Sequence, residues 1–320
     1  MRISIAMATY NGAEYLREQL ESFLSQTRQP DELIVCDDGS GDATLDTLER
    51  FRQSAPFAVQ IHRNETRLGF TKNFEKALLK CSGDLVFLSD QDDVWFASKV
   101  AVVENAFLSH PEKLLVVHDG KLVDEKLEWH GATKLGQVVS GYGTSDALKM
   151  GALTAMHRDF LSCALPVPEG IVGHDMWLHN IARHLDARLV LDQPLQLIRR
   201  HSSNTSNWIA SSTRKIGRFD VFLSQVQTVP ATGYEDRLRI NKSSLERLLQ
   251  IPDDDRRFSQ NAINSSVGYL VSERRALKHR NTIRHVDDFI KRKAMSLQLL
   301  VSGGYRFFNG YKSFLRDFTT

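Results

Sequence analysis

The sequence predicts an α/β fold: an open, mostly parallel sheet with helices on both faces, followed by a helical C-terminal extension. Three observations carry this. Between residues 2 and 198, short apolar runs of strand length alternate with stretches of helical period. The connections are short, so sequential strands pair in parallel through crossover helices. Beyond about residue 206 the strand-like runs stop. Apolar residues then recur only at helical spacing, as Leu238, Ile240, Leu245 and Leu248, then Leu270, Leu277, Ile283 and Ile290. The expected domains are 1–205 and 206–320.

Arg2 to Ala8 is a short strand, turned by Thr9-Tyr10-Asn11-Gly12. Asn11 is expected to cap the next helix, with Glu14 closing a capping box. Leu16, Leu20, Phe23 and Leu24 mark that helix. Glu32 to Cys36 is a buried strand whose tip is Asp37-Asp38-Gly39-Ser40. A helix with Leu45, Leu48 and Phe51 follows, then a strand around Val59 to His62 and a helix burying Phe74, Ala77 and Leu78. Gly83-Asp84 turns into Leu85-Val86-Phe87-Leu88-Ser89, which stops at Asp90-Gln91-Asp92-Asp93. Trp95 reads as a packed aromatic, and Val100, Val103 and Phe107 mark a helix. Leu114 to Asp119 is a strand ending in an acid; residues 120–147 are mixed and carry no assignment. Met150 to Met156 reads as a strand of small residues, where a ligand or backbone can approach closely. His174-Asp175 opens a helix, and Arg188 to Ile198 is a last strand that ends in Arg199-Arg200-His201.

Composition places the chain among ordinary soluble globular proteins, with 42% hydrophobic and 25% charged residues. The net charge of +2 conceals an asymmetry. Residues 1–198 hold 19 Lys/Arg against 28 Asp/Glu, whereas 199–320 hold 22 against 11. A basic region on an acidic body suits an anionic partner, a membrane surface or a phosphorylated substrate; a solvated helical surface gives the same balance. Nucleic acid is not an expected partner. Cys36, Cys81 and Cys163 lie far apart without metal-ligand spacing, as in a reducing compartment. Met1 to Ala8 does not read as a signal peptide, and no run of 18 apolar residues exists. The expected location is cytoplasmic, with peripheral contact on the inner face of the cell membrane. Gly304 to Arg316 interleaves aromatic and basic residues, which suits an interfacial segment and equally an aromatic helix docked on the body.

Chemistry is expected at the strand tips. Right-handed crossovers put parallel strand C-termini on one sheet edge, where open α/β sheets bind ligands. Thr9-Tyr10, Asp37-Asp38 and Asp90 to Asp93 should therefore converge. Three acids within four positions repel one another unless a cation lies between them, and oxygen ligands suit Mg²⁺ or Mn²⁺. A solvated acidic loop is the plain alternative.

Ala8-Thr9-Tyr10-Asn11-Gly12, Val35-Cys36-Asp37-Asp38-Gly39-Ser40, Gly83-Asp84 and Asp90-Gln91-Asp92-Asp93, in that order, resemble the inverting family 2 glycosyltransferases of GT-A fold. The Ser-Asp-Gln-Asp-Asp-Val-Trp version is similar to a bacterial rhamnosyltransferase-like branch that builds surface polysaccharides. The resemblance covers about residues 1–205 and implies roles. Thr9 and Tyr10 would meet the nucleotide, with Tyr10 against the base and Asp38 accepting from it. Asp90 would hold the ribose or a metal-bound water. Asp92 would ligate Mg²⁺ or Mn²⁺, with His201 as a further ligand. Lys72 and Arg200 would meet the diphosphate. Asp175 would be the catalytic base; the family's Glu-Asp pair is His174-Asp175 here. The donor implied is a dTDP- or UDP-sugar, with dTDP-rhamnose favoured, and the acceptor a lipid-linked or surface-polysaccharide saccharide. Two other functions compete: a phosphotransferase of the haloacid-dehalogenase type and a non-catalytic nucleotide-sugar binder. The first expects its Asp nucleophile near the N-terminus and leaves Thr9-Tyr10-Asn11 without a role; the second needs no base.

Overall fold

Continuous apolar runs make the buried strands, because a strand covered on both faces has no polar side to alternate with. The computed structural model describes residues 1–202, 204, 208–217, 220–221 and 233–319. The order is β1 (Ile3–Thr9), α1 (Leu16–Leu24), β2 (Glu32–Asp37), α2 (Thr44–Ser54), β3 (Ala58–Arg63), α3 (Phe70–Lys80), β4 (Leu85–Ser89), β5 (Val94–Trp95) and α4 (Lys99–Ser109). Then come β6 (Leu115–Val123), β7 (Trp129–Thr133), α5 (Lys134–Tyr142), β8 (Thr154–His157), α6 (Arg158–Ala164), α7 (His174–His184) and β9 (Arg188–Arg199). Residues β2 and β4 contribute are buried throughout, while β3, at the sheet edge, exposes part of its length.

The sheet runs β3-β2-β1-β4-β8-β6-β9-β5, with β7 on β6. β1 pairs in parallel with β2, where Thr9 faces Asp37, and with β4, where Met7 faces Ser89. β8 is antiparallel to both β4 and β6, so β4 and β6 point the same way; β9 is parallel to β6. The C-termini of β1, β2, β4 and β9 therefore share one edge. The antiparallel β8 is shorter than its small-residue run suggests, because Gly151–Leu153 winds into a 3₁₀ turn first. Under the sheet, Ile5, Met7, Phe23, Val35, Phe87 and Trp95 pack in one core. Phe23 meets Trp95 edge to face at 4.8 Å.

Two local expectations need correction. The Asn11–Glu14 capping box does not form. Asn11 takes a left-handed φ of 46° and accepts from Gly41 N–H at 2.9 Å, and α1 begins only at Leu16, after Tyr15. Its side chain serves the loop beyond β2 instead of its own helix. The unassigned segment 120–147 extends β6, then builds β7 and α5; Thr133 caps α5, accepting from Gly136 N–H at 3.1 Å, and Gly143 ends it at φ 78°.

By contacts the chain forms two compact units whose division falls between residues 221 and 233, later than the composition change near 205. Residues 208–216 stay with the first unit because α5 holds them. Lys134 Nζ donates to Ser211 Oγ, and Gln137 donates to the Ser212 and Arg214 carbonyls and accepts from Ile216 N–H. The second unit contains α8 (Gly233–Leu249), α9 (Gln260–Arg284), α10 (Phe289–Val301) and α11 (Tyr311–Thr319). Tyr305, Phe307 and Phe314 are buried with Ala276, Ile283 and Leu299. The aromatic half of the Gly304–Arg316 run thus packs within this unit. Among the described residues no helix is long and apolar enough to cross a membrane.

Candidate active site

The shared edge carries an acidic centre built from the end of β4. Oxygens of Asp90, Asp92 and Asp93 lie within 4.8 Å of one another. Strand β4 ends abruptly here, so the three side chains are delivered by a rigid, buried stem. Asp93 is buried; its Oδ2 accepts from Gln196 Nε2 at 2.7 Å and its Oδ1 from Arg199 N–H at 3.2 Å. Asp92 Oδ2 accepts from Asn204 Nδ2 at 3.1 Å and lies 2.7 Å from His201 Nε2. The tip of β4 is thereby laced to the tip of β9.

Electrostatics extend the centre to α7. Burial, then the Asp92 charge, then the Asp175 charge push the Asp90 carboxyl up to about 7. Burial and its two neighbouring acids also hold Asp93 well above the ordinary carboxylate range. The residues fit a divalent cation: carboxylate oxygens close together, with the His201 ring nitrogen beside Asp92. Lys99 is the buried counter-group. Its Nζ donates to Gln196 Oε1 at 2.5 Å and the Ala152 carbonyl at 3.1 Å and lies 3.6 Å from the Trp95 ring centroid. Desolvation drives its pKa well below that of a free lysine.

Asp175 stands in the first turn of α7, half-buried, and its Oδ1 accepts from Met176 N–H at 2.8 Å. His174 beside it is buried and stacked on Phe74 at 4.2 Å; both ring nitrogens lack hydrogen-bond partners. Burial lowers its pKa, against the opposing charge of Asp175. Gly151 makes room for it, since a Cβ there would stand 2.8 Å from His174 Nε2.

A second part of the edge forms a cleft of about 770 Å³ beside β1 and β2, lined by Tyr10, Asp38, Gly39 and residues 63–67. Tyr10 is exposed, and the Arg67 guanidinium lies 3.9 Å from its ring centroid. Gln91 connects this cleft to the acids: it accepts from Tyr10 N–H at 2.9 Å and donates to the Tyr10 carbonyl at 3.1 Å. Gly12 leaves room for this arrangement: a Cβ would fall 2.3 Å from the Gln91 amide, so the Gln91 side chain would have to move. Asp38 lines the cleft while its carboxylate accepts from Asn64 Nδ2 and the Leu68 and Gly69 N–H groups at 2.7–2.9 Å, which fixes the loop before α3.

The structure thus gathers Asp90, Asp92 and His201 around one centre, with Asp175 near enough for its charge to act on Asp90 and Arg200 near enough to feel the Asp92 and Asp93 charges. Tyr10 and Asp38 stand in the adjoining cleft. Thr9 and Lys72 are used differently. The buried Thr9 hydroxyl donates to Asp37 Oδ2 at 2.8 Å, steadying the acid that shapes the Gly39–Ser40 turn. Lys72 Nζ is engaged by Glu75 at 2.9 Å and the Val167 carbonyl at 3.0 Å.

Sequence reasoning missed Lys134 and Trp208. Lys134 Nζ is buried, 2.5 Å from Ser211 Oγ and 4.4 Å from the Trp208 ring centroid. Burial and the Arg200 charge lower its pKa to about 7, and Asp175 partly offsets them. Next to it lies a cleft of about 680 Å³ lined by Arg200, His201, Trp208, Ser211 and the carboxylates Asp124, Glu125 and Glu128. Nothing local marked Lys134: it sits in the segment that had no readable period.

The sequence profile described as glycosyl transferase family 2 matches residues 4–161. A dTDP-rhamnosyl transferase, RfbG of Shigella flexneri, is 28% identical over 211 residues, 62% of this chain and 72% of that protein. The UDP-Glc:alpha-D-GlcNAc-diphosphoundecaprenol beta-1,3-glucosyltransferase WfgD of Escherichia coli is 34% identical over 98 residues, 31% of this chain and 38% of that protein. Among solved structures, Staphylococcus aureus TarS 1–349 in complex with UDP-GlcNAc aligns over 99% of this chain and 89% of its own with a TM-score of 0.58, at 14% identity. That likeness speaks for the fold.

Proposed function

Because this chain belongs to glycosyltransferase family 2 over residues 4–161 and has the GT-A fold, we propose that it is a metal-dependent, inverting enzyme. In this reading it moves a sugar from a nucleotide-diphosphate donor to a hydroxyl of a lipid-linked or surface-polysaccharide saccharide. The observation that supports the reading is the acidic cluster at the end of β4: oxygens of Asp90, Asp92 and Asp93 lie within 4.8 Å of one another, with His201 Nε2 2.7 Å from Asp92 Oδ2. Burial first, then the Asp92 and Asp175 charges, raise the Asp90 carboxyl at this edge.

The cleft of Tyr10, Asp38 and Arg67 takes the nucleoside, with Tyr10 offering its ring face to the base. Asp90 and Asp92, with His201, would hold Mg²⁺ or Mn²⁺, whose chemistry there would be to offset the negative charge of the diphosphate. Arg200 adds a fixed positive charge from the tip of β9. Asp175, with Oδ1 engaged by Met176 N–H, presents its other oxygen to the acceptor. The acceptor hydroxyl gives its proton to Asp175 and its oxygen attacks the anomeric carbon. The bond from that carbon to the diphosphate oxygen breaks, and the nucleoside diphosphate leaves. One displacement, with base and leaving group on opposite faces of the sugar, inverts the anomeric configuration. Rhamnose from dTDP-rhamnose is the favoured donor, supported by the RfbG relationship.

The test is a pair of variants assayed for nucleotide release and donor binding. Asp92→Ala is expected to abolish metal-dependent donor turnover. Asp175→Asn is expected to keep donor affinity and lose transfer by about 10²-fold or more, the usual contribution of a general base. Intact transfer in Asp175→Asn removes the base assignment, and metal-independent transfer in the wild type removes the cation.

A further inference from the structure

Helix α10 has two apolar faces where a surface helix needs one. Its inner face buries Ser296 and Leu299 against the rest of the second unit. On the opposite side Ile290, Ala294, Leu297 and Val301 recur at intervals of four, three and four, the spacing of a straight helical stripe. This second stripe faces water: Ile290 is 78%, Leu297 45% and Val301 87% exposed. Helical phase puts Lys291 and Lys293 on its two flanks. Phe289 is also exposed, with Lys293 Nζ 4.0 Å from its ring centroid.

Charge identifies the occupant. From Phe289 onward the chain has six Lys/Arg and one acid, Asp317. That acid is buried, held by Arg280 at 2.6 Å and the Tyr305 hydroxyl at 3.0 Å, so it does not offset the surface. The neighbouring α11 exposes Tyr311 and Leu315 beside Lys312 and Arg316. The exposed acids nearest in sequence, Asp287 and Asp288, stand before the helix, where Asp288 caps it by accepting from Lys291 N–H at 2.9 Å. An exposed apolar stripe flanked by cations suits insertion at the interface of an anionic bilayer: the stripe enters the acyl boundary and the lysines extend to the headgroups. A second copy of so cationic a face would meet its own charge.

We infer that the Ile290–Leu297–Val301 stripe of α10 docks this protein on an anionic lipid surface. The Gly304–Arg316 aromatics, which composition had suggested for this role, are mostly buried. The inference rests on the proposed lipid-linked acceptor only for its purpose, since docking is measured without nucleotide or acceptor. Failure of docking therefore leaves the transfer reading standing, and catalytic failure leaves docking standing.

The experiment is flotation of the full chain with phosphatidylcholine vesicles, with and without phosphatidylglycerol, at low and high salt. Wild type is expected to float with the anionic vesicles and to be released by salt in part. The Ile290→Ser/Val301→Ser double variant is expected to lose about tenfold or more in partitioning, and Lys291→Glu/Lys293→Glu a comparable factor on anionic vesicles only. Leu249→Ser, an exposed leucine on α8, should float as wild type. All four positions of the two double variants and Leu249 lie at the surface, and unchanged circular dichroism and melting show that the fold survives. Equal flotation of the Ile290/Val301 variant overturns the inference. So does absence of wild-type flotation, or a dimer in sedimentation velocity that the same substitutions dissolve.

Discussion

Replacing Asp90 by Asn should change how stability depends on pH and on divalent metal. Burial and two neighbouring acids lift its carboxyl from 3.8 to about 7. Below pH 4 both folded and unfolded states carry the proton, and the group has no effect. Between 4 and 7 the unfolded chain ionises while the folded one does not, so the folded state binds more protons and stability falls as pH rises. Above 7 the loss is complete, up to about 4 kcal/mol for a shift of roughly three units. Asp90→Asn removes this slope, so the metal-free variant should exceed wild type in stability at pH 8 and match it at pH 4. Metal should reverse the order. Cation binding displaces the proton, so apparent Mn²⁺ affinity should rise by up to about tenfold per pH unit below 7 and level off above it. Urea denaturation at pH 4, 6 and 8, with EDTA or with Mn²⁺, measures both effects. Identical pH slopes in wild type and variant, or a Mn²⁺ stabilisation unaffected by pH, would refute the reasoning.

Gly12→Ala should weaken nucleotide binding about tenfold, because the new methyl displaces Gln91 and two hydrogen bonds that hold the Tyr10 backbone are lost. Calorimetric titration with UDP or dTDP checks it, and unchanged affinity counts against Gln91 as the link between cleft and acids. Lys134→Met should stabilise the protein near neutral pH. A lysine whose folded pKa falls from 10.5 to about 7 opposes folding fully below 7 and is relieved as pH rises toward 10.5. That opposition amounts to up to about 5 kcal/mol, against which the bond to Ser211 and the Trp208 contact offset about 2. The gain should shrink between pH 7 and 10 in urea denaturation; a destabilised variant at pH 7 contradicts the buried-cation account.

Why the centre was legible and Lys134 was not follows from range. Asp90, Asp92 and Asp93 are consecutive with a buried strand, so a local pattern exposes them. Asp175 and His201 emerge from matching motifs and from the rule that parallel strand tips share an edge. Thr9 and Lys72 sit in the expected segments, yet their polar atoms are engaged by Asp37 and by Glu75, contacts between elements that no spacing encodes. Asn11 shows the same limit: a good cap by type, it bonds instead to Gly41 across the edge.

By itself the sequence determined the alternation of strands and helices, the edge where their tips meet and the acids placed there, because burial of apolar runs and right-handed crossovers are local and general. Only the tertiary structure decided which of those acids are desolvated and keep a proton. It also decided that β8 runs antiparallel, that α5 holds residues 208–216 beside Arg200, and which C-terminal aromatics are buried while the far face of α10 is not. Those outcomes depend on which distant surfaces cover one another, and both dielectric environment and exposure are set by that covering, not by order along the chain.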